Sequence, residues 1–202
     1  MREAQIVAYL LIGAVTLGLL GYFGSQVPEM SRRDKESACT TLQPTPFNEK
    51  LGKLPVAAPE LSAQGFDGNL YSLTQYRGKV VFLNFWADWC PPCIDELPSM
   101  NAVANRFTGG DFVLLAVGSG TTWDKMTKKL RELLPGGTKM TLLLDTSSGQ
   151  GDVGDLPHRY GTEKFPETFL IDKQGRVRYY FINKREWDTE RASQCLRSLI
   201  EE

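Results

Sequence analysis

The stretch Val80-Val81-Phe82-Leu83-Asn84-Phe85-Trp86-Ala87-Asp88-Trp89-Cys90-Pro91-Pro92-Cys93 decides how this chain is read. Its apolar first half has the composition and length of a buried strand. Its second half sets two thiols three residues apart, ahead of helix-forming sequence. A strand that ends at Cys-x-x-Cys and runs into a helix is how a dithiol redox site is built. The first cysteine then sits at a helix N-terminus, where the macrodipole favours thiolate over thiol. The second, one turn on, is placed to displace whatever the first has captured. Pro91 suits a first helical position, which needs no N–H donor. The spacing therefore points to making or breaking disulfides in other proteins.

Outward from this motif, strands and helices alternate. Phe66–Tyr71 reads as a hairpin turning at Asp67-Gly68, and Ser72–Tyr76 as a single helical turn. A helix is expected from about Pro91 to Phe107, kinked at Pro98 and ended by Gly109-Gly110. Strands follow at Phe112–Val117 and Met140–Leu144, with an amphipathic helix at Thr122–Leu134 between them. Ser147–Gly154 is a glycine-rich loop, and Leu156–Tyr160 a short helix. Thr168–Ile171 and Val177–Ile182 flank Asp172-Lys173-Gln174-Gly175 as a hairpin, and Asp188–Ile200 closes as an amphipathic helix. The expected fold is α/β, a central sheet flanked by helices.

The 202 residues carry a net charge of -1, which gives no footprint for nucleic acid. Ile6–Gly24 is uncharged and almost wholly apolar, about 28 Å as a helix and close to the bilayer core. It is longer than a signal-peptide core and lacks a clean small-x-small cleavage pair, so it reads as an uncleaved single-span anchor. Residues 1–25 are thus an anchor, 26–54 a polar tether marked by Pro28, Pro44, Pro46 and, just past its end, Pro55, and 55–202 the domain. Arg2 precedes the span while Arg32, Arg33 and Lys35 follow it, and that count alone puts the domain in the cytoplasm.

Several linked motifs resemble the thioredoxin superfamily, and within it the membrane-anchored TlpA/ResA/CcmG-like thiol-disulfide oxidoreductases. They are Ala58-Pro59-Glu60, Gly78-Lys79-Val80-Val81, Asn84 to Cys93, Glu96-Leu97-Pro98, Tyr160-Gly161 and Pro166-Glu167-Thr168-Phe169-Leu170-Ile171-Asp172. The resemblance implies a thioredoxin-like fold behind one transmembrane helix, with Cys90 attacking, Cys93 resolving and Pro92 helping to set redox poise. It implies that Glu96, three residues after the second cysteine, handles protons beneath the disulfide, where a desolvated carboxyl has a raised pKa. Thioredoxin has a buried aspartate where this chain has Asn84, which leaves Glu96 the better candidate. Pro166 matches the family's cis-proline, and a cis bond there presents the Phe165 backbone to a substrate peptide.

Trp89, Pro91, Pro92, Phe165 and Pro166 are accordingly the expected client-contact residues, while Trp86 belongs to the core. The implied partners are a disulfide-containing client, with apocytochrome c as one such client, and a membrane electron donor. No cofactor and no metal are expected. A reductant is useful only where thiols otherwise oxidise, which places the domain in the periplasm or on the outer membrane face, against the charge count.

The bland readings are a structural disulfide or half a zinc site at Cys90/Cys93, and zinc lacks two further ligands. A different class of function, a copper-delivery module using the cysteine pair and His158, the chain's one histidine, is the alternative. Gly118-Ser119-Gly120 and Gly149-Gln150-Gly151 lack the full pattern of a phosphate loop. No peroxidatic cysteine pattern is present. Cys195 falls on the core face of the last helix and Cys39 in the tether; nothing in the sequence supports or excludes a bridge between them.

Overall fold

The computed structural model describes residues 2–45, 47–147 and 151–202; Pro46 of the expected tether and the Gly149-Gln150 pair lie outside them. In chain order the elements are α1 (Arg2–Thr41), β1 (Phe47–Asn48), β2 (Gly52–Lys53), β3 (Val56–Ala57), β4 (Ser62–Gly65), β5 (Leu70–Ser72), a 3₁₀ turn at Leu73–Tyr76, β6 (Val80–Trp86), α2 (Pro91–Phe107), β7 (Phe112–Gly118), α3 (Trp123–Leu133), β8 (Thr141–Leu144), α4 (Asp155–Arg159), β9 (Glu167–Ile171), β10 (Arg176–Ile182) and α5 (Glu190–Ile200). Eight strands form one mixed sheet in the order β3-β10-β9-β6-β7-β8-β4-β5.

The position of β6 follows from its composition. All seven of its residues are buried, so it must lie between other strands with both faces covered. It pairs parallel with β7, Val80 opposite Phe112, and antiparallel with β9, Asn84 opposite Thr168. Successive side chains alternate between faces. Val80, Phe82 and Trp86 pack with α2, α3, α5 and the end of α1. Val81, Leu83 and Phe85 pack on the other face with Leu73, Leu156, Tyr160 and Phe169. Asn84 is the polar member of the α2 face, and this brings it to the active helix.

The predicted hairpin turn forms, and side chains cap helices α3 and α5. Gly68 takes a φ of +82° in the turn from β4 to β5, which a side chain rarely adopts. Thr122 caps α3, and Thr189 caps α5 through Ala192 N–H at 3.2 Å. Pro98 lies inside α2, which continues past it to Phe107.

The stretch expected to run as a tether differs from that reading. Helix α1 continues beyond the apolar segment to Thr41, and Ala38 and Cys39 are buried against the domain. Cys39 is bonded to Cys195 on α5. Beyond it, Thr45 N–H donates to Tyr180 O at 2.7 Å, and buried Asn48 donates to Tyr160 O at 3.0 Å and accepts from the Lys50 and Leu51 amides. Packing onto the domain thus starts at Ala38 rather than at residue 55. The local pattern of this segment is polar and aperiodic; contacts far away in sequence order it. Upstream, Gln5–Ser25 is a 21-residue helical stretch of mean hydropathy 2.1, long and apolar enough to cross a membrane.

Candidate active site

Cys90 ends the loop after β6 and caps α2, and its Sγ accepts from the Cys93 N–H at 3.3 Å. The two sulfurs are joined, so this is the oxidised form. Once reduced, a Cys90 thiolate keeps that amide donor and the positive end of a 17-residue helix, both of which favour the charged sulfur. Cys90 is 4% exposed and Cys93 1%, the first being the less deeply buried of the two.

One turn beyond Cys93, Glu96 is 1% exposed. Its Oε1 accepts from Trp187 Nε1 at 2.6 Å and from the Arg185 backbone N–H at 3.0 Å. Its Oε2 accepts from Asn84 Nδ2 at 3.3 Å, and the same amide nitrogen donates to Thr168 Oγ1 at 2.9 Å. Burial raises the carboxyl's pKa to about 7, against the opposing pull of these donors and of the Arg185 charge. Burial without donors costs far more than burial with them. The acid is therefore poised to hold or release a proton near neutrality. Asp95, its neighbour, points outward and pairs with Lys184 at 2.9 Å.

The rim of the site is aromatic. Trp89 is 44% exposed, and its Nε1 donates to Gly120 O at 2.8 Å. Its ring lies 5.9 Å from that of Phe165. Trp86, in contrast, is fully buried. The Phe165–Pro166 peptide bond is cis, and the sheet pairing of β9 begins only at Glu167. The Leu54–Pro55 bond is also cis, which the sequence did not signal. Pro91 and Pro92 occupy the first turn of α2.

Asn84, Thr168, Arg185 and Trp187 complete the acid's surroundings. Asn84 was legible only as a departure from a family position, while Arg185 and Trp187 sit in the β10–α5 connection, where no motif marks them. His158 does not join the cysteine pair. It lies on α4 in a surface hollow with Lys50, Asp155 and Arg159. Among the described residues no three His, Cys, Asp or Glu side chains converge as a metal site. The copper-delivery alternative therefore loses its third ligand. Cys195 and Cys39, whose pairing the sequence left open, are bonded to each other.

Comparison with known proteins agrees with this geometry. The chain is 34% identical over 121 residues to the thiol-disulfide oxidoreductase ResA of Geobacillus thermodenitrificans, covering 60% of this chain and 64% of that relative. It is 30% identical over 185 residues to the thiol:disulfide interchange protein DsbE of Vibrio cholerae, covering 90% of this chain and 86% of that one. A solved structure from Chlorobium tepidum, described as a thiol:disulfide interchange protein DsbE, superposes with a TM-score of 0.61 at 29% identity, over 72% of this chain and 96% of that one. The chain thus spans less than two thirds of its ResA relative and most of its DsbE relative. Residues 55–180 match the AhpC/TSA family. With the helix-capping cysteine pair, the cis bond before Pro166 and the eight-stranded mixed sheet all in place, the chain belongs to the AhpC/TSA family of thioredoxin-like proteins.

Proposed function

We propose that this protein is a membrane-tethered thiol-disulfide oxidoreductase that reduces disulfides in extracytoplasmic client proteins. The observation that carries the reading is a buried carboxyl, raised to about 7, one helical turn beyond the cysteine that must lose its proton. A structural disulfide needs no such group.

In the cycle, the Cys90 thiolate attacks a client disulfide. A Cys90–client S–S bond forms, and the first client sulfur leaves as a thiolate. Glu96, ionised, takes the proton of the Cys93 thiol. The Cys93 thiolate then attacks Cys90 Sγ, closing Cys90–Cys93 and releasing the second client sulfur. Two electrons have moved from the enzyme dithiol to the client, and a membrane electron donor restores the dithiol. Trp89 and Phe165 offer the client an apolar rim, and the Phe165 backbone before the cis bond offers an edge for strand-like pairing. Apocytochrome c is a client that the family resemblance implies, and the relatives named ResA and DsbE support that class of role.

Cys93→Ala, which cannot resolve, is expected to accumulate clients as mixed disulfides on Cys90; an empty trap counts against the cycle. A reporter active only outside the cytoplasm, fused to the C-terminus, is expected to be active, and silence refutes the placement of the domain.

A further inference from the structure

Two of the three polar contacts to the Glu96 carboxylate come from residues 185–187, a short connection between β10 and α5 in which Arg185 is half-buried, Glu186 exposed and Trp187 buried. The Arg185 guanidinium ties the connection to chain outside it by gathering carbonyls from both sides. Nη1 donates to Ile182 O, Asn183 O and Lys184 O at 2.9, 3.2 and 3.0 Å. Nε donates to Leu42 O at 3.2 Å and Nη2 to Gln43 O at 3.4 Å, both just past the end of α1. The planar fork makes this multiple grip possible, and lysine has no equivalent. Arg185 also lies 5.9 Å above the Phe181 ring, which stands edge-on to Trp187 at 5.2 Å.

The carbonyls that Arg185 grips are themselves fixed. Leu42 N–H returns to Cys39 O at 3.2 Å, and Gln43 N–H to Thr40 O at 3.0 Å. Cys39 is covalently bound to α5. Leu42 packs on the same apolar cluster as Trp187. A continuous set of contacts therefore runs from the foot of the anchor helix to the acid beside the redox cysteines.

We propose that Arg185 is a positioning residue for Glu96, and that the disulfide-held end of α1 supports it, so that the anchor helix is part of the acid's support. This rests on the reading of Glu96 as proton acceptor. The charged groups facing the carboxyl are Arg185 and Lys184 from the β10–α5 connection. Beside it on α2 is the cysteine pair, and β6 and β9 contribute the neutral Asn84 and Thr168.

The test is the titration of the Glu96 carboxyl carbon by NMR in the oxidised full-length chain in detergent, the resonance being assigned by its loss in Glu96→Gln. Arg185→Ala removes a cation and loosens a donor, so the midpoint is expected to rise by about half a unit or more. Arg185→Lys keeps the charge without the fork and is expected to fall between. Cys39→Ala/Cys195→Ala is expected to move the midpoint the same way, and adding Arg185→Ala to it to give less than the sum. If that double variant does not fold, Leu42→Ala loosens the same carbonyls with the disulfide intact and must shift the midpoint upward. An unmoved midpoint in folded Arg185→Ala overturns the positioning role. An unmoved midpoint in both α1 variants, or in Leu42→Ala where the double variant does not fold, overturns the support from the anchor. A shift seen in a chain that reduces no client keeps the positioning and sinks the oxidoreductase reading, while client reduction without a shift does the reverse.

Discussion

Glu96 links the chemistry to the stability of the chain. Its folded pKa of about 7 lies above the ordinary 4.5 because burial penalises the charged form. Between pH 4.5 and 7 the unfolded chain releases a proton that the folded chain keeps. Its contribution to stability therefore falls as pH rises through that window and levels off above it. Glu167, also raised to about 7 by burial, adds a slope of the same sign. Glu96→Gln is expected to flatten the part due to Glu96, with a gain of at most about 3 kcal/mol above pH 7 before lost hydrogen bonds are counted. Urea unfolding across pH 5–8 checks this. The same variant is expected to slow disulfide release from Cys90–client adducts by about 10²-fold or more, the usual scale for a lost proton acceptor. Trp187→Phe keeps an aromatic ring beside Phe82 and Phe181 but removes the 2.6 Å donor. Its pH–rate profile should shift to higher pH, because a donor that favours the carboxylate is gone. Asn84→Asp sets a second carboxyl where an amide nitrogen now stands 3.3 Å from Glu96 Oε2, and should move the same profile further in that direction.

At the scale of elements, α2 and α5 do different work. The capping position of α2 is Cys90 itself, so its sulfur accepts the amide hydrogen bond that a serine or aspartate oxygen accepts at other helices. Helix α5 carries Cys195 and follows the loop that holds the acid. Its cap, Thr189 to the Ala192 N–H at 3.2 Å, keeps the start of the helix in place. Thr189→Ala is expected to lower stability by about 1 kcal/mol, read from the denaturation midpoint. The β6–β7–β8 ladder is parallel throughout, and it sets the loop after β7 beside the active site, where the Gly120 carbonyl fixes the Trp89 indole. Gly120 has a φ of +64° and the Asp152 backbone against the place of a Cβ, so a side chain there would displace the loop that orients the rim.

Over the whole molecule, the Cys39–Cys195 bond spans 156 residues and joins the C-terminal end of α1 to α5. Closing so long a loop restricts the unfolded chain, and its removal is expected to lower stability by about 2–5 kcal/mol, measured on the full chain under non-reducing conditions. From Ser25 to Ala38, which is buried on the domain, the helix rises about 20 Å. The central strands, the hairpin turn at Gly68, the amphipathic helices and the redox pair were determined by the sequence alone, because each rests on local periodicity or on a spacing of a few residues. Glu96 was legible through the family resemblance, lying one turn from Cys93. What only the tertiary structure decided is what surrounds that acid and what becomes of the supposed tether. Arg185, Trp187, Thr168 and Cys39 lie between 57 and 91 residues from Glu96. Their meeting depends on how the sheet and helices close on one another, and no local pattern records it.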